Sequence, residues 1–139
     1  MRSSRVICSC LLSAALLVPS AYGLRAEVPA RSPEIRAAVH LATEGNYEGA
    51  LQRFEMLLAA DSKNPLLLYY VGLCYYFKGD SHKAVTFLEA SMARKAEFPE
   101  AYYWAARAHR SIDENERAKE CVRVGLERFP GNKKLLSLE

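Results

Sequence analysis

Cysteine is scarce in this chain, and half of it lies at the very start. Of four cysteines, Cys8 and Cys10 fall in the first ten residues, leaving Cys74 and Cys121 in the body. Two cysteines do not make a disulfide framework. They could pair in an oxidising compartment, but they fall in separate predicted helices, so buried free thiols are the expectation. Sequence signatures of catalysis are missing too. There is no Gly-rich phosphate loop, no nucleophile elbow and no H-E-x-x-H pair, so no catalytic residue and no cofactor is expected. An excess of one charge is also lacking: 19 Lys and Arg against 16 Asp and Glu give a net +3, too little to point to nucleic acid. No apolar run reaches the roughly 20 residues that a membrane-spanning helix needs.

What is present begins with an address. Arg2 and Arg5 form a short positive start, and Val6 to Val18 is a run of thirteen residues without a charge. Pro19 breaks that run, and Ala21-Tyr22-Gly23 places small residues at the two recognition positions. This is the layout of a secretory signal peptide, residues 1–23, cut after Gly23. A retained membrane anchor is the alternative, disfavoured by the shortness of the run. Both early cysteines precede most of the apolar run, so no lipid anchor is read. Cleavage would remove Arg2 and Arg5 and lower the net charge from +3 to +1. The protein is expected to be exported, with the periplasm as its location and no stable membrane span after cleavage. Residues 24–32, with Pro29 and no period, read as a flexible lead-in. Pro33 suits the first turn of a helix.

From there the chain repeats every 34 residues. Gly45-Asn46-Tyr47, Gly79-Asp80-Ser81 and Asp113-Glu114-Asn115 are turn-like clusters at that interval. Ala50, Ala84 and Ala118 follow them, then Phe54, Leu88 and Val122 one turn later on the same helical face. Ala38, Gly72 and Ala106 are the small residues of the preceding helices. No gap is needed across 31–64, 65–98 and 99–132. A small residue lets the partner helix approach closely, which predicts that Gly72 faces Ala84. Residues 133–139 read as a truncated further helix, with Leu135, Leu136 and Leu138 available to cover the open end; an uncovered end would instead allow a homo-oligomer.

A 34-residue helix-turn-helix period resembles the tetratricopeptide repeat. The second unit carries most of the motif: Leu68, Val71-Gly72, Tyr75, Gly79-Asp80, Ala84, Leu88 and Ser91. The first matches through Leu41, Gly45-Asn46-Tyr47, Ala50, Phe54 and Leu57, but has Glu34 where the motif has an aromatic. The third keeps Tyr102, Ala105-Ala106, Ala118 and Pro130, with His109 and Asp113 as departures. The resemblance implies an all-α fold: a right-handed α-solenoid of three antiparallel helix-turn-helix units plus a short C-terminal helix, spanning 33–139. Three units are about the minimum for a stack that buries its own core.

The stretch Pro65 to Gly79 is unusual for such a helix, because its aromatics lie on every side. Either it is buried all round, or one flank packs and the other is a sticky surface; the repeat favours the second. The resemblance implies that the first helices line a concave face. The inward candidates are Ile35, Val39 and Ala42, then Leu66, Tyr69, Tyr70, Leu73, Tyr76 and Phe77, then Tyr103, Trp104, Arg107, Arg110 and Ser111. Trp, Tyr and Arg are the side chains enriched at binding hot spots. A subgroup of the family holds a peptide's terminal carboxylate with Lys, Asn and Arg. The matching positions are Ile35, Val39, Tyr70, Glu100 and Trp104, none of which fits. His40 and Cys74 share a place in neighbouring repeats, but the third equivalent is Ala108, so no metal site is expected. The expected role is non-enzymatic: an adaptor or assembly factor binding a protein or peptide partner in an aromatic groove. The rivals are a small-molecule-binding accessory subunit of a transport system and a self-associating scaffold.

Overall fold

Each helix starts and stops where a particular residue dictates. A computed structural model describes residues 32–94 and 96–139; the expected signal peptide and all but the last residue of the lead-in lie outside the described residues. The helices are α1 (Pro33–Thr43), α2 (Tyr47–Ala60), α3 (Pro65–Lys78), α4 (Ser81–Ala93), α5 (Glu100–Ser111), α6 (Asn115–Arg128) and the one-turn α7 (Lys133–Leu136). No strand is present among the described residues. Pro33 and Pro65 occupy first-turn positions, where a missing N–H costs nothing. The Ser32, Asn64 and Asn132 side chains cap α1, α3 and α7 by accepting from backbone N–H groups of the first turn.

The turn inside each hairpin is built the same way three times. Gly45, Gly79 and Asp113 take φ of 82°, 91° and 61°. Each closes the helix before it, and the next N–H reaches back further: Asn46 to the Leu41 carbonyl, Asp80 to Tyr75 and Glu114 to His109. Asn46 and Asp80 then cap the following helix through their side chains. Glu114 stands in the same place but accepts no capping hydrogen bond, because its carboxylate is engaged elsewhere.

Three antiparallel hairpins result, with α3 packed on α2 and α5 packed on α4. The first helices also touch across hairpins, α1 with α3, α3 with α5 and α5 with α7, whereas among the described residues α2, α4 and α6 do not meet one another. The odd helices therefore form the inner layer and the even ones the outer layer. The core follows the 34-residue period: Ala38, Ala50 and Phe54, then Ala84 and Leu88, then Ala106 and Ala118 are all fully buried. At Gly72 an added Cβ would lie 2.7 Å from Leu88 Cγ and 3.3 Å from the Ala84 carbonyl oxygen. The close approach expected of Gly72 and Ala84 is present, with Leu88 as its tightest wall.

The two ends differ from the middle. Leu67, Tyr70, Val71 and Cys74 of α3 are buried, but their counterparts one period earlier, Pro33, Arg36, Ala37 and His40, are exposed. That polar outer face is what a terminal repeat needs. At the other end Leu135 is fully buried and closes over Gly125, where a Cβ would meet both Leu135 and Tyr102 at 2.9 Å. Leu138 is half-buried and Leu136 is left exposed.

Two stability changes follow. Gly72→Ala gains about 1 kcal/mol of helix propensity but overpacks Leu88, at a cost on the order of 1–3 kcal/mol. A lower thermal midpoint is expected, and an unchanged or higher one would mean that Leu88 yields freely. Asp113→Gly keeps the left-handed conformation and removes the side chain that it disfavours, and is expected to stabilise by about 1 kcal/mol, read as a rise in the midpoint.

Candidate partner-binding face

The inner layer carries a continuous aromatic cluster. The Tyr47 ring of α2 stacks on Phe77 with centroids 6.0 Å apart and planes at 13°. Phe77 meets Tyr76 edge-on at 5.4 Å. Trp104 of α5 sets its ring against both, at 5.3 Å from Tyr76 and 5.2 Å from Phe77. Tyr103 completes the series against Trp104 at 5.3 Å. Such edge-to-face pairs match the ring quadrupoles and hold the side chains in fixed orientations.

Arg107 lies on this cluster, its guanidinium 5.0 Å from the Trp104 ring, 5.7 Å from Tyr103 and 6.0 Å from Tyr76. Its Nη1 donates to the Tyr103 hydroxyl at 3.1 Å. Among the described residues no carboxylate pairs with it, whereas Lys78 pairs with Glu48, Arg117 with Glu89 and Arg123 with Glu120. Leu66, Tyr76, Phe77, Tyr103 and Arg107 are half-buried, and Trp104 at 9% exposure is the floor between them.

Three of the expected groove residues do not belong to an open surface. Tyr69, Tyr70 and Leu73 are each only 2% exposed. Phe54 of α2 stacks flat on Tyr70 at 5.4 Å, and Tyr69 is wedged between Tyr70 and Phe98, which it meets edge-on at 5.1 Å. Leu73 belongs to the same core cluster. The expectation of a sticky flank along α3 is corrected: residues 67–74 are buried all round, and the partly open side chains lie at the two ends of the helix, Leu66 in the first turn and Tyr75 to Phe77 in the last. The enclosure comes from neighbours on four helices, since α3 packs on α2 and α4 and touches α1 and α5. Ile35, Val39 and Ala42 of α1 are buried as well.

Arg110 is exposed and turns away from the cluster, donating to the Leu138 carbonyl and tying down the C-terminal segment. Ser111 bonds Ser81 and the Ala108 carbonyl, both at 2.7 Å. Glu100, half-buried in the first turn of α5, acts on the other end of the face. Burial, and then the Glu100 charge, push the Tyr70 hydroxyl above its ordinary range. Glu100 and Arg107 are separated by seven residues of one helix, about 10 Å at 1.5 Å per residue. The face is thus negative at one end and positive at the other.

One polar group was not legible as a unit. His109 is fully buried, with Nδ1 2.7 Å from Glu114 Oε2 and Nε2 3.1 Å from Glu89 Oε1. Arg117 approaches both carboxylates, at 3.4 Å and 3.9 Å. The network joins α4, α5 and the start of α6, and explains why Glu114 leaves its helix uncapped. One period earlier the same place holds a weaker version, Tyr75 donating to Glu55 at 3.5 Å. The only sequence signal was the departure itself, a His with an acidic turn where an aromatic and a glycine are usual. It ties hairpins together and faces no opening.

Nothing among the described residues groups three metal-ligating side chains. No helix among them is long and apolar enough to cross a membrane. Residues 67–94 match the family model described as the tetratricopeptide repeat. No curated protein matches the chain. Among solved structures, the chain is similar to the second TPR domain of human RPAP3, determined by NMR in complex with the HSP70 peptide SGPTIEEVD. That likeness has a TM-score of 0.70 at 22% identity and covers 76% of this chain and 88% of that one; at this identity it is a likeness of fold.

Cys74 and Cys121 are free and buried, and burial pushes both thiols up to about 12. A thiolate is the reacting species, so neither thiol reacts readily in the folded state. Labelling by a thiol-specific maleimide at pH 7 is expected to be slow for the folded chain and fast in denaturant. Fast labelling of either cysteine in the folded protein would contradict the described packing.

Proposed function

We propose that this chain, a tetratricopeptide-repeat protein by its central repeat and its fold, is a non-enzymatic interaction module that holds a peptide or partner helix on its inner face. The observation that carries this reading is the half-open cluster of Tyr76, Phe77, Trp104 and Tyr103 with Arg107 over it. Rigid aromatics around a partly desolvated arginine are the composition of an interface hot spot. An apolar patch left accessible on a folded domain commonly marks a contact site. The similar RPAP3 domain, determined with a peptide bound, supports the same use of the fold. The leader of residues 1–23 supports export, and an adaptor or assembly factor of the periplasm is the role in which these features meet.

The rival readings draw less support. Two cavities lie away from this face, one of about 620 Å³ between α1 and α2 and one of about 540 Å³ between α6 and the C-terminal segment, and neither is lined by the aromatic cluster. The polar outer face of α1 and the cover provided by Leu135 argue against end-to-end stacking of copies.

Tyr76→Ala with Tyr103→Ala removes two half-buried rings and leaves the buried core of α3 intact. The double variant is expected to lose at least tenfold in capture of its envelope partner, about 1.4 kcal/mol, with an unchanged far-UV circular dichroism spectrum. Capture at full strength by a folded double variant would remove the aromatic face from the account.

A further inference from the structure

We infer that the inner face selects peptides in which an apolar side chain is followed or preceded, on one side only, by an acidic side chain whose carboxylate seats on Arg107. The inference rests on the interaction role proposed above and narrows it to a ligand class. Arg107 is the starting point. A guanidinium carries five N–H donors in a planar fork; here one bond goes to the Tyr103 hydroxyl. The rings of Trp104, Tyr103 and Tyr76, all within 6.0 Å, fix the plane of that fork. They also shield it from water, and a charge-assisted hydrogen bond gains strength in such surroundings. Many basic side chains on the outer helices already have a carboxylate, as in the Lys119–Glu116 and Arg123–Glu120 pairs. Arg107, in the aromatic cluster, has none among the described residues and is half-exposed. It is a pre-oriented cation with donors left over, at the place where a ligand would lie.

Glu100 supplies direction. It sits on the same helix about two turns away, half-buried, and a second carboxylate brought to that end would meet repulsion. An acid is therefore accepted at the Arg107 end and refused at the Glu100 end. The carboxylate is a side chain rather than a chain terminus. A terminal carboxylate needs a cage of several donors, and Ile35, Val39 and Tyr70 are buried residues that offer no such cage beside Glu100.

The test uses random peptides displayed at the N-terminus of a phage coat protein, so that no free carboxyl terminus is presented. Selection on the wild-type protein is expected to enrich Asp or Glu on one side of an aromatic or aliphatic residue. Selection on Arg107→Gln is expected to keep the apolar preference and lose the acid, and Arg107→Lys, which keeps the charge but not the planar fork, is expected to keep the apolar preference with a weakened preference for the acid. A selected peptide, synthesised with both ends blocked, is expected to bind at least tenfold more weakly once its acid is changed to the amide. That last measurement needs no protein variant and holds even where Arg107→Gln fails to fold. Apolar peptides without acid enrichment, or an acid whose amide binds equally well, overturn the inference and leave the aromatic face standing. Selection of no peptide, or of peptides indifferent to Tyr76→Ala with Tyr103→Ala, overturns the face and the inference together.

Discussion

The close approach of paired helices at small residues is the constraint from which the rest of the structure follows. At Gly72 there is no room for a single carbon against Leu88, and Ala38/Ala50 and Ala106/Ala118 are fully buried in the flanking hairpins. Helices held this tightly leave little apolar surface between the members of a pair. The remaining apolar side chains must then be buried between hairpins, which is why the units stack. Stacking places α3 in contact with helices before and after it. The most apolar of the described helices is accordingly the most enclosed, and its partly open positions are confined to its two ends.

The large architecture could be read from the sequence because it is written in local chemistry that repeats. The 34-residue interval, the prolines at helix starts and the turns at Gly45 and Gly79 each have a local cause, and each is in place. Asp113 was a departure from the pattern, yet it takes the same left-handed conformation, since the backbone bonds that close the turn are common to all three hairpins. The face of α3 was harder. An aromatic side chain that points inward and one that packs against the next helix look alike in a periodic sequence. What buries Tyr69 and Tyr70 is the arrival of Phe54 and Phe98 from other parts of the chain, and periodicity carries no record of that arrival. The His109 network was illegible for a similar reason: Glu89 lies 20 residues away and is reached only by folding.

What remains open is small and chemically distinct. Four aromatic side chains from two helices meet where the last turn of α3 crosses α5, and a cation lies over them. The arrangement places rigid apolar area and one unneutralised charge side by side. Rigid side chains lose little conformational entropy when a ligand docks, so a face of modest area can still bind usefully. The opposite charge two turns earlier on α5 gives the face a polarity that a symmetric apolar patch would lack.

Trp104 is the single tryptophan of the chain and forms the floor of this face, so its indole N–H is a natural reporter. The most direct measurement is an NMR titration of the protein with its captured partner, following the indole signal and the aromatic rings. The Trp104 indole and the rings of Tyr76, Phe77 and Tyr103 are expected to shift together while signals from the outer faces of α2, α4 and α6 stay in place. Shifts confined to those outer helices, with Trp104 undisturbed at saturation, would contradict it.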